Sequence, residues 1–183
     1  MRIISGQWRG RRVRVLEGKD LRPTPDRVRE TLFNWLAPWV AGARCLDLFA
    51  GSGVLGFEAL SRGASMAVMI DESPEVIKLL QEQLILFGAA NGEVYRARIP
   101  GQLKIVSEPF DIVFLDPPYQ SELLLPTCQY LEEHGFLVEG AYIYLEAGEA
   151  IKDNDLPCGW QIIKRGKAGQ VAFQLVKREL NKQ

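Results

Sequence analysis

The sequence predicts an α/β fold on a mostly parallel sheet with helices on both faces, and three observations carry that expectation. Short apolar runs centred on Leu46, Val68, Val94, Val113 and Tyr144 alternate with stretches of helical periodicity, as parallel strands buried on both sides do. The first run breaks into a glycine-rich turn and then a helical pattern, Cys45-Leu46-Asp47-Leu48-Phe49-Ala50-Gly51-Ser52-Gly53-Val54-Leu55-Gly56, the strand–loop–helix opening of a nucleotide-type site. With 183 residues, 47% of them hydrophobic, the chain can bury one sizeable core, so a single domain over 1–183 is expected, with 1–20 as an extension and 21–183 as the core.

Taken in order, residues 2–4 and 12–16 read as the paired strands of an N-terminal hairpin around residues 5–11. Residues 21–36 read as a helix, with Thr24 at the N-cap, Pro25 at the first helical position and Asp26 in the first turn. The helix between the second and third strands is marked throughout: Ser73 caps it, Pro74 follows, Val76, Leu79, Leu80, Leu84 and Phe87 recur at helical spacing, and Gly88 stops it. Residues 160–165 and 170–177, around Gly166 and Gly169, read as a closing hairpin that brings the sheet to seven strands.

Charge is unevenly placed. The net formal charge is −1, yet residues 1–30 hold nine basic groups against four acids, leaving the remainder at −6. A basic arm on an acidic body is the electrostatic footprint of an RNA binder, with Arg9, Arg11 and Arg12 on phosphates and Trp8 stacked on a base. A solvated hairpin whose edge is protected by charge fits the same residues. Cys45, Cys128 and Cys158 are odd in number and lack CxxC spacing, so reduced thiols are expected. His134, the only histidine, falls at a helix end, and neither a metal site nor a His-dependent triad is expected. Met1-Arg2 leads into charged residues without an apolar signal core, and no apolar run is long enough to span a bilayer, so the expected compartment is cytoplasmic.

Two motifs carry chemistry. Gly51-x-Gly53-x-x-Gly56, with Asp71 20 residues after Gly51, formally fits a dinucleotide fingerprint. Asp47 at the strand end, however, would repel a pyrophosphate and suits a cationic ligand. S-adenosylmethionine carries an ammonium and a sulfonium, so Asp47 is expected near its amine and Asp71 on its ribose hydroxyls, with Phe49, Gly51 and Gly53 lining the loop. The second motif, Asp116-Pro117-Pro118-Tyr119, ends the apolar run of residues 110–115. Proline fixes φ and extends the residue before it, so a carboxylate and carbonyls leave the strand together and can accept both hydrogens of an exocyclic NH2 while Tyr119 stacks on the base. Read alone, the tetrapeptide also fits a strand-to-loop turn with a solvated Asp.

Together the glycine loop, Asp71 and Asp116-Pro117-Pro118-Tyr119 resemble the class I S-adenosylmethionine-dependent methyltransferases (Rossmann-like) that modify exocyclic amines. The segment from Leu21-Arg22-Pro23-Thr24-Pro25-Asp26-Arg27 to Leu36, the opening Met1-Arg2-Ile3-Ile4-Ser5-Gly6-Gln7-Trp8-Arg9-Gly10-Arg11 and the closing Lys167-Ala168-Gly169-Gln170-Val171 narrow the resemblance to the RsmD family over nearly the whole chain. That resemblance implies methylation of a guanine N2 in 16S ribosomal RNA of the small subunit. It further implies Asp116, Pro117 and Tyr119 as catalytic, Pro118 against the RNA and Arg27 toward the cofactor; a small enzyme docking on a particle is expected to be a monomer. Arg98 departs from the family, which usually has there an Asp or Asn to accept from the cofactor's adenine amine, since arginine cannot accept. The alternatives are an adenine-N6 methyltransferase of DNA or RNA, which the absence of a target-recognition domain disfavours, and a non-catalytic RNA-binding assembly factor.

Overall fold

The computed structural model describes residues 1–16, 25–104, 108–118 and 121–179. Among them the elements run α1 (Asp26–Leu36), β1 (Arg44–Leu48), α2 (Val54–Ser61), β2 (Met66–Asp71), α3 (Pro74–Phe87), β3 (Gly92–Arg96), β4 (Phe110–Leu115), α4 (Leu124–Glu133), β5 (Leu137–Ala147), β6 (Trp160–Ala168) and β7 (Val171–Arg178). The seven strands form one sheet in the order β3-β2-β1-β4-β5-β7-β6. The first five pair in parallel, and β7 lies antiparallel to both β5 and β6.

Strand alternation divides the core. Cys45, Ala67, Met69, Ile112, Phe114, Tyr144 and Phe173 face α1, α2 and α3, whereas Leu46, Leu48, Val68, Ile70, Val113, Leu115 and Ile143 face α4 and the segment carrying Ile99 and Leu103. Where both faces are covered, as in β1, β2 and β4, the strands read as mostly apolar runs, which is why the sequence exposed them, whereas β3 at the sheet edge is half-buried to exposed. All eight residues of α2 are buried, because this helix is sandwiched between the sheet and the N-terminal segment. The α3 caps are as expected: the Ser73 side chain accepts from Val76 N at 3.4 Å and Gly88 closes the helix at φ 65°.

Three expectations are corrected. The N-terminal hairpin has a single antiparallel bridge, Arg2 to Arg12, in place of two strands. Ile3 N, Gly10 N and Val13 N donate across it to Arg11 O, Ile3 O and Met1 O, while other backbone donors leave the hairpin: Ile4 N and Ser5 N to Glu58, Trp8 N to Ser61 Oγ, and Arg14 N to Gln83 Oε1. Helix α1 starts at Asp26 with Pro25 in the N-cap position and no side-chain cap, one residue later than expected, and Thr24 lies outside the described residues, as do 17–20 of the extension. Strand β6 continues through Gly166 to Ala168, so the closing turn is only Gly169-Gln170. No helix among the described residues is long and apolar enough to cross a membrane.

Candidate active site

The carboxyl ends of β1, β2 and β4 meet at the centre of the sheet, where loops of an open α/β fold hold ligands. Registering Leu48 with Leu115 sets Phe49 beside Asp116, the first residues past their strands. Phe49 takes φ 63°, a positive value outside glycine, a conformation that surrounding contacts must hold. The turn is fixed by Ala50 N donating to Ile70 O at 3.0 Å and Gly53 N donating to Ala50 O at 2.7 Å. Gly51 N donates to Asp71 Oδ2 and Ser73 N to Asp71 Oδ1, both at 3.0 Å. Asp71, half-buried at the last position of β2, thus ties the glycine loop to the start of α3 while its carboxylate stays at the rim.

Asp47 is placed differently from the expectation. It is 3% exposed, one residue inside β1 on the face covered by α2, and its Oδ2 accepts from Gly56 N at 3.0 Å. Burial pushes its carboxyl up to about 8, the Gly56 bond working against the shift and the Asp71 charge adding to it. Asp47 therefore satisfies an orphan donor in the first turn of α2 rather than facing a cationic ligand. Gly53 is likewise packed: at φ 73° a Cβ there would meet Leu80 Cδ2 at 2.4 Å and Met69 Sδ at 2.9 Å. Its missing side chain makes room for α3, and Gly51 is left as the glycine of the outer loop.

Asp116 is half-buried, Pro117 buried and Pro118 exposed. The Pro118 carbonyl is engaged, accepting from Ser121 N at 2.9 Å and Ser121 Oγ at 2.6 Å, which locks the chain turning away from β4. Tyr119 lies outside the described residues. Arg98 is exposed, pairs with Glu72 at 3.7 Å, and its N–H donates to Gln102 Oε1.

The basic arm lies at the other end of the molecule. Arg11 donates to Leu86 O in the last turn of α3, 12 residues beyond Pro74 and so about 18 Å from the cofactor loop along the helix axis. Arg9 and Arg12 are exposed. Trp8 is not available to a base: it is 8% exposed and packs edge-on against Phe57 and Phe87 at 6.5 and 5.0 Å. Burying an aromatic of this size contributes roughly 4–6 kcal/mol against the ~1–3 kcal/mol of a base stack, so the ring stays inside.

Sequence reasoning missed the polar node behind this arm. Glu58, fully buried, accepts from Ile4 N at 2.8 Å, Ser5 N at 3.0 Å and Arg62 Nε at 2.8 Å, and pairs with the fully buried Arg29 at 3.6 Å. Arg29 also reaches Arg2 O and Asp26. The available signal was a single carboxylate in an otherwise apolar helix, which requires partners from outside it. Arg27, on the opposite side of α1, is exposed and turns toward the β6–β7 hairpin.

Residues 1–177 match the family described as conserved hypothetical protein 95. The ribosomal RNA small subunit methyltransferase D of Escherichia coli K12 is 45% identical over 179 residues, covering 98% of this chain and 90% of that protein. The chain belongs to the RsmD family. The Haemophilus influenzae protein of the same name is 40% identical over 182 residues, covering 96% and 92%. Among solved structures, Escherichia coli yhhF, described as a candidate methyltransferase, superposes with a TM-score of 0.88 at 46% identity, covering 98% of both chains. The fold is accordingly that of the methyltransferases.

Proposed function

We propose that this RsmD-family protein methylates the exocyclic N2 of a guanine in 16S ribosomal RNA, with S-adenosylmethionine as the methyl donor and the small ribosomal subunit as its partner. One observation carries the reading: Asp116, heading a tetrapeptide suited to gripping an amine, stands beside Phe49 and the Gly51 loop across the β1–β4 pairing. The residues present fit the donor. Asp71 offers a carboxylate at the rim for vicinal hydroxyls, and the loop from Phe49 to Gly51 is held through its own N–H groups, Ala50 N on Ile70 O and Gly51 N on Asp71 Oδ2. When bound there, S-adenosylmethionine would supply the methyl group that the guanine nitrogen takes up, the cofactor leaving as the thioether.

The chain's task is placement. The guanine amine is a poor nucleophile because its lone pair is delocalised into the ring. Asp116 and the Pro117 carbonyl, accepting its two N–H bonds, favour a pyramidal nitrogen and aim the lone pair. Tyr119 and Pro118 hold the base, which must be unstacked to enter. Correct placement supplies roughly 7–11 kcal/mol, more than the 10²–10⁴-fold of a general base, so the proton can leave to solvent after transfer. Arg9, Arg11 and Arg12 contact RNA remote from the target, as their distance from the site requires.

The test is to incubate the protein with labelled S-adenosylmethionine and, separately, unmethylated small subunits, free 16S RNA and duplex DNA, then identify the product nucleoside by mass spectrometry. N2-methylguanosine from subunits or RNA is expected. N6-methyladenine overturns the choice of base, and no transfer despite cofactor binding overturns the activity.

A further inference from the structure

Gln83 is a fully buried polar residue that the chemistry above does not use. Helix α3 turns Val76, Leu80, Gln83 and Phe87 into the core, a stripe in which packing calls for a hydrocarbon side chain and the sequence supplies an amide. At 0% exposure that amide costs stability unless both its ends are met. Its partners belong to neither the helix nor the sheet. Gln83 Oε1 accepts from Arg14 N at 2.6 Å, and Nε2 donates to Ser52 O at 3.2 Å. One partner is an N–H and the other a carbonyl, which fixes the orientation of the amide.

Ser52 is the middle residue of Gly51-Ser52-Gly53. The other side of the same peptide unit is held as well, Gly53 N donating to Ala50 O at 2.7 Å, so the Ser52–Gly53 peptide plane is pinned at its oxygen and at its hydrogen. Asp71 ties the loop to β2 through Gly51 N, and Gln83 ties it to α3. Arg14 brings in the N-terminal arm. From Arg11 on Leu86 O the chain runs back along α3 to Arg14, whose guanidinium pairs with Glu82 at 3.6 Å and whose N–H meets Gln83. A carboxylate at position 83 would accept from Arg14 N equally well. The amide also donates to the loop carbonyl, so seating the arm does not account for a glutamine here.

We propose that Gln83 is a positioning residue for S-adenosylmethionine, bracing the Gly51–Gly53 loop against the N-terminal arm in the conformation that receives the cofactor. Gln83 acts through the Ser52 carbonyl and touches neither cofactor nor RNA. A loop held in its binding conformation beforehand spends less of the binding free energy on ordering itself. The inference rests on the glycine loop being the cofactor site.

The test compares the full chain with Gln83→Leu, which fills the space without polar atoms, and Gln83→Glu, which keeps an acceptor for Arg14 N but sets a second acceptor against Ser52 O. Val176→Ala, in the core on the α4 side of the sheet, controls for lost stability. Kd for S-adenosylmethionine is measured by calorimetry, KM and kcat with 16S RNA, RNA affinity by filter binding, and amide exchange at Arg14. Both Gln83 variants should raise Kd and KM for S-adenosylmethionine at least tenfold, with kcat at saturating cofactor and RNA affinity within threefold of wild type. Exchange at Arg14 should accelerate more in Gln83→Leu than in Gln83→Glu, which separates the arm from the loop. Val176→Ala, at a comparable loss in thermal midpoint, should bind the cofactor as wild type does. Gln83 variants that lose stability or RNA affinity yet bind S-adenosylmethionine unchanged overturn the proposal and leave Gln83 as a seat for the arm. Asp71→Asn tells the two failures apart: weakened cofactor binding there, beside unaffected Gln83 variants, sinks the inference alone, whereas unchanged binding in all three removes the glycine loop from the cofactor site.

Discussion

Replacing Glu58 by alanine tests whether the N-terminal segment is part of the core or an appendage. The carboxylate is fully buried and serves four partners: Ile4 N, Ser5 N, Arg62 and Arg29. Its removal orphans two backbone donors and leaves Arg29, itself fully buried, with its Asp26 and Arg2 contacts alone. Breaking a buried pair from one side costs about 3–5 kcal/mol, a large share of the ~5–15 kcal/mol that holds a domain folded. With a urea m-value near 2 kcal/mol/M the midpoint should fall by roughly 1.5–2.5 M. Glutamine, which keeps the shape and one acceptor, should cost less. Amide exchange at Ile4 and Ser5 should accelerate in step with the loss of stability, because the segment and α2 then open together. The double variant Glu58→Leu/Arg29→Met should be less destabilised than Glu58→Ala, since no buried charge is stranded. A midpoint for Glu58→Ala within 0.5 M of wild type, with Ile4 and Ser5 exchanging as before, would refute the node.

Three further outcomes are expected. Asp116→Ala should lower methyl transfer at least 10²-fold in a single-turnover assay while RNA affinity in filter binding changes less than threefold; retained turnover would remove Asp116 from the site. Asp47 holds its proton up to about pH 8 in the folded chain against 3.8 ordinarily. Stability is thus full below about pH 3.8 and falls as pH rises toward 8, at a limiting slope of about 1.4 kcal/mol per pH unit. Asp47→Asn should flatten that part of the urea-midpoint profile, and an unchanged profile would place the titration elsewhere. Gly53→Ala should destabilise by about 1–3 kcal/mol through overpacking against Leu80 and Met69, with added strain at φ 73°; thermal melts that match wild type would contradict the packing described.

What was legible in the sequence followed local rules. Strands β1, β2 and β4 announced themselves as apolar runs because both faces of the sheet are covered there, and α3 did so because Ser73, Pro74 and Gly88 mark its ends. The N-terminal segment obeyed no local rule. Its buried residues Ile3, Trp8 and Val13 fall five apart, matching neither a strand nor a helix, and its backbone bonds reach side chains 53 to 69 residues away. Trp8 looked like a surface ring because arginines surround it in sequence, whereas in space it meets Phe57 and Phe87. Gly166 looked like a turn residue, but it lies within a strand under the Phe173 ring.

The three acids at the head of the sheet show where pattern reading needed one more step. Asp47, Asp71 and Asp116 each stand at the carboxyl end of a strand, and proximity to the glycine loop suggested a ligand role for all three. Their positions differ by one or two residues: Asp71 is the last residue of β2, Asp116 the first beyond β4, and Asp47 still has Leu48 after it within β1. Side chains alternate along a strand, so Asp47 shares the face of Cys45, which the helices cover, and its carboxylate ends on Gly56 N instead of at the rim. That face was readable in advance, because the buried helix following the loop can pack only against the side of β1 from which the chain returns. An acid inside the strand secures the turn, and acids at or past its end remain within reach of what the turn holds.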